Sequence, residues 1–337
     1  MIAMPAVHST ASRFRSSLLW LWLLSGCVSV GAEPGPPVMA PAQTTDAFRM
    51  ADGASLPYRA WLAGPEPWAV VLALHGMNDS RNAWEIPAPD LAAAGIAVFA
   101  PDQRGFGDTA DRGFWPGEAA LAADAGQMAR LLRVRFPRAK LILLGESMGA
   151  AILMRLAIST DPPPVDGYVL IAPAVWGRSA MNPAMRGALW LASRLVPGLE
   201  LTGRGARVTA SDNRDALVRL STDPLTLKAT RLDTLRGLVD LMDAAQDAAG
   251  DFAAPALVLY GGKDQVIPPR ATRRIWDRMP GSARRAFYPG GYHLLLRDLG
   301  RAEPLGDVIA WIAAPDAPLP SLAQTRAAAW LAEATGG

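Results

Sequence analysis

The chain has 337 residues with a formal net charge of +2, and half of its residues are hydrophobic. That supplies one large α/β core with an insertion, or two domains. The charge balance gives no argument for nucleic-acid binding, and three histidines with one cysteine leave no recognisable metal-ligand spacing.

Residues 1–27 read as a secretory leader. Arg13 and Arg15 precede an apolar run, residues 16–25, that is too short to span a bilayer. The run ends in Leu24-Ser25-Gly26-Cys27, which resembles the bacterial lipobox. The resemblance implies a diacylated Cys27 as the mature N-terminus, and so a membrane anchor. Cys27 is the only cysteine, which suits export to an oxidising compartment. Val28 stands where an inner-membrane retention Asp would sit, so the resemblance points to the outer membrane, on the periplasmic side. Two alternatives stay open. Val30-Gly31-Ala32 offers a site to an ordinary signal peptidase, which would release a soluble protein; the other alternative is that Cys27 is incidental. Residues 28–45, rich in Pro, Gly and Ala, read as a tether of mixed stiffness.

Thr44–Ala63 holds two alternating segments around the turn signal Ala51-Asp52-Gly53, the pattern of a hairpin. Trp68–Leu74 is a continuous apolar run, which predicts a strand buried on both faces. A short helix over Pro89–Gly95, closed by its glycine, leads to a second buried strand, Ile96–Ala100. Gly117–Arg133 reads as an amphipathic helix. Lys140–Leu144 predicts a strand, Met148–Ile158 a helix and Tyr168–Ala172 a further strand. Strands alternating with helices imply right-handed crossovers and a mostly parallel sheet. The alternation breaks over residues 176–250. Helical patterns there, at Pro183–Leu195, Asp215–Leu220 and Leu232–Ala248, predict a cap over the sheet's C-terminal edge. Strand Ala256–Tyr260, helix Pro269–Met279, strand Ala283–Tyr288 and helix Pro304–Ala313 then complete the core. The predicted core is thus 46–175 and 251–314, with the cap at 176–250. Residues 315–337 form a tail with an Ala-rich helix over Leu322–Ala334.

Gly145-Glu146-Ser147-Met148-Gly149 sits between a predicted strand and a predicted helix, the context a G-x-S-x-G nucleophile elbow requires. A serine hydroxyl is a poor nucleophile at neutral pH and needs a base. Of the three histidines, His8 leaves with the leader and His75 abuts an apolar strand. His293, on the Gly-rich loop Tyr288-Pro-Gly-Gly-Tyr-His293, is the candidate. A carboxylate must fix its tautomer. Asp264, in Tyr260-Gly-Gly-Lys-Asp264, lies on a loop after a strand; its alternative is a plain turn aspartate. Asp251 is a rival on the wrong edge of its strand. The order Ser, Asp, His fits an α/β-hydrolase. An oxyanion hole takes two backbone N–H groups, here Met148 and Met77, with His75 as a scaffold residue or, less simply, a second base.

These segments, with Asp102-Gln103-Arg104-Gly105-Phe106-Gly107, Gly262–Pro268 and Asp223-Pro224-Leu225, resemble the serine α/β-hydrolases. The nearest group is that of monoacylglycerol lipases, lysophospholipases and their serine aminopeptidase relatives, and the resemblance spans residues 50–313. It departs from the common pattern at Glu146, where His is frequent, and at Ala150, where a third Gly is frequent. It implies a mostly parallel central sheet flanked by helices, with a helical cap insertion. It implies a cofactor-free, metal-free ester hydrolase that forms an acyl-enzyme on Ser147 with monoacylglycerol or lysophospholipid-like substrates. A short-chain esterase, a peptidase, an acyltransferase or a non-catalytic ligand-binding lipoprotein are the alternatives. Trp176, Met181, Met185, Trp190, Leu191 and Leu195 are candidates to line an acyl pocket, against the alternative of an ordinary core stripe. The cluster Arg270, Arg273, Arg274, Arg278, Arg284 and Arg285 reads as a solvated basic face or as a contact for anionic headgroups. Oligomeric state is not legible.

Overall fold

The apolar runs become strands because Val, Leu and Ile pack well on a pleated surface covered from both sides. In the computed structural model, which describes residues 32–203 and 208–335, β1 (Ala42–Gln43), β2 (Ala47–Arg49), β3 (Ser55–Trp61), β4 (Ala69–Leu74), β5 (Ile96–Pro101), β6 (Lys140–Glu146) and β7 (Gly167–Ile171) precede a separate two-stranded ribbon, β8 (Glu200–Thr202) with β9 (Ala229–Arg231). β10 (Ala256–Gly261) and β11 (Ala283–Tyr288) complete a nine-stranded sheet of order β1-β2-β3-β5-β4-β6-β7-β10-β11. It is parallel from β5 to β11, and β1 to β3 form an antiparallel edge. Every residue of β4, β5, β7 and β10 is buried.

Helices cover both faces. α1 (Pro87–Ala93) lies on one face. α2 (Glu118–Arg135) and α3 (Met148–Ala157) lie on the other. Between β7 and β10 the chain makes the cap helices α4 (Pro183–Leu195), α5 (Arg214–Thr222) and α6 (Leu232–Ala248). Asn182 and Asn213 start α4 and α5: their side chains accept from Met185 N–H and Ala216 N–H, satisfying donors that a helix start leaves free. α7 (Pro269–Arg278), α8 (Ala302–Ala313) and α9 (Ala323–Thr335) follow. Among the described residues no helix is long and apolar enough to cross a membrane. The expected leader and Cys27 lie outside the described residues.

Two expectations are corrected. The tether reading of 28–45 extends too far. Val38 and Met39 N–H both donate to Ala51 O, at 2.7 and 3.1 Å, and β1 pairs with β2. A sheet edge offers free backbone acceptors, and extended chain takes them. The C-terminal stretch is not a tail either. α9 packs on β11, with the nearly buried Trp330 stacked on Phe287 at 4.8 Å and edge-on to Trp276 at 5.4 Å. The ribbon β8–β9 was invisible in the sequence because it is short and exposed to intermediate throughout.

Candidate active site

The turn at Ser147 is forced by close packing. An added Cβ on Gly145 would lie 2.5 Å from Ala150 N, and one on Gly149 would lie 2.3 Å from Leu74 O. Only hydrogen at both positions lets α3 cross β4 and β6 this closely. Ser147 itself sits at φ +54°, a region that costs a non-glycine residue about 1–3 kcal/mol. The surroundings hold it there: Ser147 N–H donates to Ile171 O at 2.9 Å, and Ala174 N–H donates to Ser147 O at 3.1 Å. Its side chain occupies a helix-capping position without making a capping bond, so Oγ stays free for chemistry.

Asp264 and His293 come together as expected. His293 Nδ1 and Asp264 Oδ2 are 2.9 Å apart, both side chains buried. The other carboxylate oxygen accepts Val266 and Ile267 N–H at 2.7 and 2.9 Å. One oxygen thus holds the loop and the other fixes the proton on Nδ1, leaving Nε2 as the base. The glycines of the two loops pack against each other: a Cβ on Gly261 would meet Gly291 O at 2.5 Å, and Lys263 N–H donates to Gly291 O at 2.8 Å. No hydrogen bond joins Ser147 Oγ to His293 in this structure; contacts of this kind are often long until a substrate engages them.

Met77 lies beside Ser147 on the same cavity, and Met148 opens α3, where N–H groups lack intrahelical partners. His75 is a scaffold residue. Its Nδ1 meets Gly76 O at 2.8 Å, and its Nε2 accepts Gln103 N–H at 3.1 Å. An acceptor on one side and a donor on the other fix a neutral ring with its proton on Nδ1, so it has no free nitrogen for a base. The Asp102–Gly107 motif continues this scaffold: Gln103 Nε2 donates to His75 O, and Arg104 bridges Asp52 and Asp124. The cap is tied to the same loop. Asp223 accepts from Asn82 Nδ2 at 3.0 Å, and Leu227 N–H donates to Asn78 O at 2.8 Å.

Behind Ser147 lies a cavity of about 500 Å³. Met77, Ala174, Trp176, Met181, Met185, Leu189, Leu238 and Met242 are among its walls, and apart from the Trp176 indole, Ser147 is the only side chain lining it with a polar group among the described residues. Of the six residues the sequence offered for a pocket wall, Trp176, Met181 and Met185 line this cavity. Trp190, Leu191 and Leu195 do not. At 3.6 residues per turn, Met185, Ala188, Leu189 and Ala192 form the cavity-facing side of α4. Trp190 projects outward, 57% exposed, with the Arg194 guanidinium 4.1 Å from its ring. The basic cluster is mostly spent inside the fold: Arg273, Arg278, Arg284 and Arg285 donate to backbone carbonyls, and desolvation lowers the Arg285 pKa.

Asp298 went unnoticed in the sequence. It accepts Tyr292 N–H at 2.7 Å and Ser211 Oγ–H at 2.6 Å, so the base loop is pinned to the cap. Burial raises its pKa, against these two hydrogen bonds. Arg297 also went unnoticed; it donates to Asp79 and to Glu146. Among the described residues no group of three or more His, Cys, Asp or Glu is placed to hold a metal ion.

A family model described as serine aminopeptidase, S33, matches residues 65–300. The chain belongs to that family. A monoacylglycerol lipase of Mycolicibacterium smegmatis is 24% identical over 278 residues, 82% of this chain and 99% of that protein. A monoglyceride lipase of Rattus norvegicus is 24% identical over 282 residues, 82% and 92% of the two chains. Among solved structures, a soluble variant of the Saccharomyces cerevisiae monoglyceride lipase aligns with a TM-score of 0.66 at 20% identity, covering 82% of this chain and 98% of that one. The Paleococcus ferrophilus monoacylglycerol lipase aligns at 0.63 and 23%, covering 77% and 98%. The fold is that of an α/β-hydrolase, and the family and relatives mark the chain as a lipase- or esterase-type hydrolase.

Proposed function

We propose that this S33-family chain is a serine ester hydrolase for monoacyl lipids, monoacylglycerol or lysophospholipid-like, working through an acyl-enzyme on Ser147. The observation that carries the reading is a single hydroxyl, that of Ser147, on a largely apolar cavity of about 500 Å³, with a buried Asp264–His293 pair on the neighbouring loops. His293 Nε2 takes the proton from Ser147 Oγ as it attacks the ester carbonyl. The oxyanion binds Met148 and Met77 N–H. His293 then protonates the leaving alcohol, and water releases the acyl group by the same steps in reverse.

The apolar walls favour this over an aminopeptidase, which must pair its substrate's ammonium with a carboxylate; none lines the cavity among the described residues. The test is a panel of p-nitrophenyl esters of rising chain length, a monoacylglycerol, a lysophospholipid and an aminoacyl anilide, with Ser147→Ala as control. Ser147→Ala should lower kcat by about 10⁴-fold or more. Turnover of only short esters or the anilide moves the chain to the esterase or peptidase side. Turnover that survives Ser147→Ala refutes the assignment.

Export and lipid anchoring through Cys27, to an outer membrane, are part of the proposal. Their support is the Leu24-Ser25-Gly26-Cys27 sequence after a short apolar run. A clickable fatty acid should label the wild type and not Cys27→Ser; absence of label on the wild type removes the anchor.

A further inference from the structure

Of the four loops that build the site, one carries Asp264; the other three carry the oxyanion hole, the nucleophile and the base. Asp79 stands two residues past Met77 on the oxyanion loop. Glu146 ends β6 immediately before Ser147. Arg297 closes the turn that follows His293, its N–H donating to Leu294 O at 2.7 Å. One side chain reaches all three. Arg297 Nη1 donates to Asp79 Oδ2 at 2.8 Å, and Nη2 donates to Glu146 Oε1. The three residues are 5%, 5% and 2% exposed, in the order Arg297, Asp79, Glu146. Glu146 also lies under the oxyanion loop: its Oε1 is 3.8 Å from where a Cβ on Gly76 would stand.

We propose that Arg297 is a positioning residue: its guanidinium holds the oxyanion loop and the nucleophile elbow in fixed register from the loop that carries the base. The inference rests on the reading of Ser147 as nucleophile. The physical reason is the count of charges. Two buried carboxylates face one cation, and without it they repel each other and drive the two loops apart. Burial works against the charged guanidinium, but the attraction of Glu146 and Asp79 outweighs it and raises its pKa. A planar fork addresses two carboxylates at once, which the point charge of lysine does not. Asp79 is further fixed, its Oδ1 accepting Ser80 N–H at 2.9 Å, and Asn213 Nδ2 donates to Arg297 O at 2.9 Å. The clamp thus also meets the cap. None of this touches the apolar cavity, so the clamp acts on the geometry of reaction and not on chain binding.

The experiment uses the full chain and its variants Glu146→Ala, Glu146→Gln and Arg297→Lys. It measures kcat, KM, melting temperature and the rate of covalent reaction with a fluorophosphonate. Glu146→Ala leaves Arg297 and Asp79 as a one-to-one pair, so it keeps the fold without an unpaired charge. A shift of about 1 Å in a reacting group costs about 10²-fold, and that is the loss expected in kcat and in the fluorophosphonate rate for Glu146→Ala and Arg297→Lys. KM should stay within about threefold, as for a contact that matters only in the transition state. Glu146→Gln keeps an oxygen for Nη2 and should recover at least about tenfold of that loss. Folded Glu146→Ala and Arg297→Lys that react at the wild-type rate overturn the inference, as does a loss that appears in KM and follows melting temperature. A wild type inert to the fluorophosphonate overturns the Ser147 reading itself, and the clamp with it.

Discussion

If the cavity takes an acyl chain, the rate should count methylenes. Each buried CH₂ contributes about 0.8 kcal/mol, a factor of about four in kcat/KM. From a butyrate to a decanoate ester, six methylenes add about 5 kcal/mol, an upper limit of about 3 × 10³-fold. The space suffices: a cavity of about 500 Å³ holds roughly 17 water-sized groups at about 30 Å³ each, so the rise should persist through that range. Leu238 lines the wall on α6. Leu238→Trp should fill part of the cavity and remove about fourfold of the long-chain advantage for each methylene it displaces. The assay is kcat/KM for a homologous series of p-nitrophenyl esters below their critical micelle concentrations, wild type against variant. A flat chain-length profile in the wild type refutes the acyl-pocket reasoning. A rising profile that Leu238→Trp leaves untouched places the chain elsewhere.

Three further outcomes follow from packing and charge. Gly149→Ala pushes a Cβ against the immobile Leu74 carbonyl and should cost about 1–3 kcal/mol or more, read by urea unfolding, with activity lost in step. Trp330→Ala removes a nearly buried ring from between Phe287 and Trp276 and should cost about 3–5 kcal/mol; a variant as stable as wild type would make α9 an appendage after all. Asp298 has a folded pKa raised by burial, so the folded state holds its proton more tightly than the unfolded one. Its contribution to stability is therefore largest at low pH and declines as pH rises from about 3.9 through the folded value. Asp298→Asn should remove that decline, seen as a smaller fall in melting temperature over the acid range relative to wild type.

The parts of this molecule that could be read from the chain are those with a local physical signature. Val70, Leu72 and Leu74 sit in an unbroken apolar run because both faces of β4 are covered. Gly145 and Gly149 flank Ser147 because nothing larger fits. Asp264 and His293 each follow a strand on a glycine-rich loop because the two loops press together. What could not be read depends on distance along the chain or on direction around a helix. Arg297 meets partners 151 and 218 residues away, and no local pattern reports such a pairing. Trp190 and Met185 share one apolar stretch, yet only the packing of α4 on α6 decides which of them lines the cavity. Trp330 carried a signal, a large ring amid alanines that let a helix approach closely, but β11 had to be in place to show what it covers.

The backbone of Ser147 has a consequence for any effort to make this protein tougher. At φ +54° the residue that reacts is the one the chain would rather not have there. Glycine would adopt that conformation without strain, and the relief of about 1–3 kcal/mol exceeds the roughly 0.5–1 kcal/mol that its greater chain entropy costs, so Ser147→Gly should melt higher than the wild type while doing no chemistry. A selection that rewards heat resistance alone would therefore drift toward an inert protein, and a useful one has to demand turnover in the same round.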